Sequence, residues 1–104
     1  MTASWYSVES CKKEGTWKKW GGKTASGEVF NDKLFTCASW HFPINSFIKV
    51  TNKNNKKSII VRVNDRLSRR LARAGRVLDL SKASFSRLAC LDEGIIPIEI
   101  KIIK

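Results

Sequence analysis

Apolar and polar positions alternate along this chain in short runs. Phe47-Ile48-Lys49-Val50-Thr51 has period two, the spacing of a half-buried strand. Asn52-Lys53-Asn54-Asn55-Lys56-Lys57 follows as a polar turn, because asparagine tolerates left-handed backbone and bonds to its own main chain. Ser58-Ile59-Ile60-Val61-Arg62-Val63 then returns, so a hairpin is predicted. Near the end, Ile96, Ile98, Ile100 and Ile102 fall on one face and Pro97, Glu99 and Lys101 on the other, a strand with one side packed inward. Ala3 to Val8 is rich in aromatic and β-branched residues, and Phe35 to Trp40 and Val77-Leu78 are shorter strand candidates.

Helical signals are few. Leu67 to Ala74 suits a short basic helix stopped by Gly75. Ser81 is a good N-cap for Lys82 to Leu88, with Asp79 just upstream near the positive end of the helix dipole. Phe85, Leu88 and Ala89 keep the i, i+3, i+4 spacing of a buried helix face. The basic, glycine-bearing stretch from Lys12 to Gly27 has no period and reads as a loop. Short strands, one or two short helices and long irregular connections predict a mainly β protein, a small closed barrel without open sheet edges.

At 104 residues the chain suits one domain spanning 1–104. Twenty Lys and Arg against nine acids give a formal charge of +11, which predicts attraction to polyanions: nucleic acid, anionic lipid or anionic wall polymer. No apolar run is long enough to span a membrane. Cys11, Cys37 and Cys90 form no C-x-x-C pair, and with His41 the lone histidine no metal site is expected. One disulfide with one free thiol, or three thiols, are both compatible with the spacing. Cys37 has neutral sequence neighbours, a poor setting for a nucleophile.

In so basic a chain, acids placed beside strand-like runs need a reason. Glu28 closes Thr24-Ala25-Ser26-Gly27-Glu28, Asp65 lies in Val61-Arg62-Val63-Asn64-Asp65-Arg66, and Asp79 opens Asp79-Leu80-Ser81. With Ala3-Ser4-Trp5-Tyr6, these motifs resemble the rare lipoprotein A family over nearly the whole chain, Ala3 to about Ile102. The resemblance implies a six-stranded double-psi β-barrel acting on bacterial cell-wall glycan. It also implies an exported, periplasmic or cell-envelope protein. Met1 to Tyr6 lacks a leader's basic-then-apolar pattern, so a processed fragment is expected rather than a chain made without an export signal.

The family's functional glutamate and aspartate match Glu28 and Asp65. A lytic transglycosylase needs one carboxyl that first protonates the leaving oxygen and then takes a proton from the sugar's own C6 hydroxyl. Glu28 is the candidate for that role, with Asp65 raising its pKa by like-charge repulsion, binding a sugar hydroxyl or steadying a developing cation. Asp79 reads as structural. The family's histidine in a T-A-A-H segment is replaced by Ser39 in Thr36-Cys37-Ala38-Ser39, while His41 lies two residues on and on the same side of a strand. His41 is therefore a third catalytic candidate or a rim histidine with no such duty. After Asp65-Arg66 the family's Gly-Pro gives way to Leu67-Ser68 and a longer connection bearing Arg69, Arg70, Arg73 and Arg76. Ser26, Ser39, Arg66, Trp17 and Trp20 are candidate substrate contacts, since indoles stack on sugar rings; Trp5 and Trp40 are placed in the core.

The function expected is a peptidoglycan lytic transglycosylase that cuts between N-acetylmuramic acid and N-acetylglucosamine in peptide-denuded strands. It would act as a monomer without cofactor or metal, with anionic wall polymers as further partners. A non-catalytic, expansin-like glycan-binding module is the alternative. Nucleic-acid binding is a weaker reading, because no alternating basic and aromatic code is present.

Overall fold

The computed structural model describes residues 1–9, 22–67 and 76–103. Six strands carry the fold: β1 (Thr2–Tyr6), β2 (Thr36–Ala38), β3 (Phe47–Asn52), β4 (Ser58–Asp65), β5 (Arg76–Ser81) and β6 (Ile96–Ile102). They close into a barrel in the order β1-β5-β2-β4-β3-β6, with β6 returning to β1. The pairs β1/β5 and β2/β4 are parallel, and the other four are antiparallel. Parallel neighbours cannot be joined by a tight turn, which accounts for the long connections between short strands.

The barrel is filled from every strand: Ala3, Cys37, Ile48, Val50, Val61, Val63, Leu78, Leu80, Ile96 and Ile98 are almost completely buried. Helix α1 (Lys82–Leu88) adds Phe85 and Leu88 to the same cluster, so it packs against the core as its spacing predicts. Its N-cap is Ser81, whose Oγ accepts from the Ser84 amide at 3.2 Å. A 3₁₀ turn (Leu91–Glu93), which the sequence pattern did not suggest, links α1 towards β6. Trp5 leans on Phe85 with ring centroids 6.5 Å apart and donates its indole N–H to the Leu91 carbonyl.

The β3–β4 hairpin forms with Thr51 opposite Ser58 and Val50 opposite Ile59. Its turn is pinned from below, because the side-chain amides of Asn52 and Asn55 both donate to the Leu88 carbonyl, at 2.9 and 2.8 Å.

Three expectations need correction. The strand sought over Phe35 to Trp40 is only Thr36–Ala38, and Trp40 lies outside it, 51% exposed rather than in the core. In β6 the inward face holds only at its start; Ile100 is half-buried and Ile102 is 66% exposed, because the strand runs past the filled part of the barrel. β4 and β5 extend beyond the apolar runs to Asp65 and Ser81, since barrel closure supplies partners for polar residues there. The helix expected over Leu67 to Ala74 lies almost entirely outside the described residues, as do Cys11, Trp17 and Trp20. Cys37 and Cys90 are free thiols.

Candidate functional site

Barrel register brings the separate motifs together. Asp65 on β4 pairs with Ala38 on β2, Ala38 with Asp79 on β5, and Asp79 with Ser4 on β1. One row across four strands therefore holds residues from the first, third and fourth motifs. Asp79 is buried and accepts from Ser4 Oγ at 3.0 Å, in keeping with its structural reading. Burial and the charge of Asp79 push the Cys37 thiol up to about 12, leaving it inert as a nucleophile.

The second motif docks onto this row from outside. Lys23 and Val29 form an antiparallel bridge, and Thr24 to Glu28 turn back between them. Gly27 has φ +90°, and a Cβ there would meet nothing within 4 Å, so backbone conformation rather than crowding calls for glycine. Two backbone amides of this turn hold it to the end of β4. Ser26 N–H donates to the Asn64 carbonyl at 3.0 Å, and Ala25 N–H donates to Asp65 Oδ1 at 3.0 Å. Glu28 and Asp65 are thus joined through one short turn at the end of one strand.

Their surroundings differ in kind. Strand alternation puts Arg62 and Asn64 on one side of β4, opposite the core residues Val61 and Val63. Glu28 lies against them: Oε1 is 2.7 Å from Arg62 Nη1 and accepts from Ser26 Oγ at 2.8 Å and Asn64 Nδ2 at 3.2 Å, while Oε2 accepts from Arg62 Nη2 at 2.9 Å. Arg62 is itself steadied by Asn45 Oδ1 at 2.9 Å. Chiefly because of the Arg62 guanidinium, the Glu28 carboxyl is pulled down to about 2. The expectation that Asp65 keeps Glu28 protonated is therefore wrong. The dominant neighbour is the Arg62 cation.

Asp65 is the acid whose pKa is raised, because burial disfavours its charged form. The shift is opposed by donors that crowd one oxygen: Oδ1 accepts from Ala25 N–H and from Arg66 N–H at 2.8 Å. Among the described residues Oδ2 accepts only from the Tyr6 hydroxyl, at 3.4 Å. The Tyr6 ring is held by stacking on Phe30, centroids 4.4 Å apart and 3° from parallel. With Oδ1 occupied by two fixed N–H groups, a proton on this carboxyl belongs on Oδ2.

The remaining candidates separate. Ser26 is in the network, on Glu28. Ser39 is completely buried, donating to the Val77 carbonyl and accepting from the His41 amide, so it is not available to a substrate. Arg66 Nη1 donates to the Ser39 and Phe42 carbonyls, both at 2.7 Å, which makes it a clamp on the segment after β2. His41 is exposed, and its ring contact is edge-on with Phe42; among the described residues no bond joins it to Glu28 or Asp65. Trp40 was missed as a surface aromatic. Its indole N–H donates to the Leu67 carbonyl, and the Arg66 guanidinium carbon lies 5.6 Å from the ring centroid. This fixes an exposed indole beside the residue that follows Asp65. Tyr6, Arg62 and Asn64 were also missed, although alternation alone places Arg62 and Asn64 together. Among the described residues no three His, Cys, Asp or Glu side chains cluster as a metal site would.

A closed six-stranded barrel of this topology, with its acids at the end of a parallel-paired strand, is a double-psi β-barrel. The Streptomyces papain inhibitor has the same fold at 22% identity, with a TM-score of 0.70 over 99% of this chain and 91% of its own. The apo expansin of Clavibacter michiganensis does so too, at 22% identity and a TM-score of 0.64, covering 99% of this chain and 48% of that one. The family model described as lytic transglycolase matches residues 1–100, and the chain belongs to that family. Relatives named endolytic peptidoglycan transglycosylase RlpA include that of Pasteurella multocida, 38% identical over 84% of this chain and 29% of its own length. Those of Haemophilus influenzae and Rickettsia bellii are 44% and 37% identical over 72% and 95% of this chain, and 25% and 40% of theirs. The chain thus spans well under half the length of these relatives.

Proposed function

We propose that this domain is an endolytic peptidoglycan lytic transglycosylase in which Asp65 is the proton donor and acceptor. The observation that carries the reading is the contrast at the end of β4: Asp65 is desolvated with Oδ2 nearly free, whereas Glu28 is held as a carboxylate by Arg62. Oδ2–H would protonate the glycosidic oxygen as the C1–O bond of the muramic sugar breaks. The C6 hydroxyl of the same sugar then attacks C1, and its proton returns to Oδ2. A 1,6-anhydro end forms, the acid is regenerated and no water enters. Glu28 acts as a positioning residue, whose bonds to Ser26, Arg62 and Asn64 fasten the turn that aims the Ala25 amide at Asp65. The exposed Trp40 offers a stacking face near the acid.

Membership of the family supports this reading, as do relatives named for the same activity. On this reading the protein works in the periplasm or cell envelope, with glycan strands as its partner. Among the described residues no helix is long and apolar enough to cross a membrane. The replacement of the family's histidine by buried Ser39 favours a second reading, a module that holds glycan without cutting it. One experiment separates them. Purified peptide-free strands are incubated with the wild type and with Asp65→Asn, and products are analysed by mass spectrometry. Anhydro-muramic ends from the wild type and not from the variant are expected; their absence from both would leave the binding module.

A further inference from the structure

At the other end of β4 from Asp65, the residues Phe35, Lys57, Ser58, Ile59 and Arg87 surround a depression of about 400 Å³. β4 is eight residues long, so at about 3.3 Å per residue its two ends lie roughly 23 Å apart. The walls come from three elements that are fastened to one another. Asn52 and Asn55 tie the hairpin turn to the last carbonyl of α1, that of Leu88, and the Arg62 amide donates to the Phe35 carbonyl at 3.1 Å, tying β4 to the segment entering β2. Lys57 and Arg87 are therefore presented from supports that hold their spacing.

A lysine-rich hairpin turn is ordinarily a solvated surface, and Lys53 and Lys56 in this turn are simply exposed. Lys57 differs because it shares a concave wall with a second cation and an exposed aromatic. Phe35 is 42% exposed, and the Arg87 guanidinium carbon sits 5.4 Å from its ring centroid. Stacking of this kind orients the guanidinium plane and leaves its N–H edge free for an oxyanion. Among the described residues no acid lines the depression and the one ion pair is Arg62–Glu28, so none of them neutralises either cation. Ile59 and Phe35 add apolar surface for the carbons of a sugar or polyol, and Ser58 adds a hydroxyl.

We infer that this depression is an anchoring site for an acidic wall polymer, binding its carboxylate or phosphate oxyanions through Lys57 and Arg87. The polymer's identity rests on the wall-directed reading above. Binding is scored without cleavage, however, so either proposal can fail while the other stands.

The test titrates the isotope-labelled whole chain with three oligomers of matched charge: an oligogalacturonate, an oligo(glycerol phosphate) and an oligothymidylate. Saturable binding of at least one of the first two is expected, shifting the Ser58 and Ile59 amides and the Arg87 side-chain N–H. Whichever binds tighter identifies the source of the oxyanion. Replacing Lys57→Ala with Arg87→Ala should weaken binding about tenfold or more, since two charge-assisted contacts are lost. Replacing Lys49→Ala with Lys101→Ala removes the same charge from register partners on β3 and β6 that do not line the depression. That pair should weaken binding less than about threefold, the effect of net charge alone. Equal losses from both pairs, no saturable binding of either wall-type oligomer, or tighter binding of the oligothymidylate would each overturn the proposal.

Discussion

Glu28 and Asp65 sit on one hydrogen-bonded turn, yet their protons are held very differently. Glu28 is the more exposed of the two, and it is the stronger acid because three side chains donate to it and one is a guanidinium. Asp65 also accepts three bonds, but two are main-chain bonds to a single oxygen, and burial outweighs them. The number of donors does not decide the direction of the shift. What separates the two acids is that a guanidinium bonds Glu28 directly, whereas at Asp65 burial outweighs its main-chain donors and the more distant charge of Arg66. An acid that must give and retake a proton is served by the second arrangement, while the first serves to hold backbone in place.

The largest effect should come from Asp65→Asn. Anhydro-end formation is expected to fall by about 10²- to 10⁴-fold, the usual worth of a general acid–base group. Asn can still accept from Ala25 and Arg66, so the melting temperature should stay close to wild type; retained cutting would break the assignment. Glu28→Gln comes next. It should cost about 1–2 kcal/mol of stability through the lost ion pair and slow cutting by no more than about tenfold. A loss from Glu28→Gln as deep as that from Asp65→Asn, in protein that melts normally, would reverse the two roles.

The contrast also predicts opposite pH signs. Glu28 is depressed from 4.5 to about 2, so its stabilisation is complete above 4.5 and lost as pH falls towards 2. The urea midpoints of wild type and Glu28→Gln should therefore converge over that interval. Asp65 is raised above 3.8, so its ionisation costs folding stability above its folded pKa, and that cost is relieved as pH falls through it. Cutting, which needs the protonated form, should decline as pH rises through the same point. The smallest change is Tyr6→Phe, which keeps the stack on Phe30 and removes one long bond to Oδ2. A few-fold change in kcat/KM with a slightly higher apparent pKa is expected, and an unchanged pH profile would remove Tyr6 from the site.

Much of the fold was legible because strand alternation and capping are local. The hairpin between Val50 and Ile59, the Ser81 cap and the Phe85–Leu88 face all follow from neighbours within a few residues. The positions of Glu28 and Asp65 in their motifs could be read, but not their chemistry. That depends on Arg62 reaching back 34 residues to Glu28, and on the turn covering Asp65, neither of which any window of sequence contains. Trp40 was misplaced for a related reason: the register of β2 with β4 and β5 ends at Ala38, two residues before it.

The amides that hold Oδ1 belong to the main chain of Ala25 and Arg66, so most side-chain replacements at those positions would leave the grip intact. A homologue can thus exchange Ala25 and still aim its acid, provided the loop keeps its length, whereas the Arg66 side chain is also needed as the clamp on Ser39 and Phe42. Proline at position 25, which has no N–H to offer, is the replacement that would cut this tie, and a one-residue insertion between 24 and 28 would shift it out of reach.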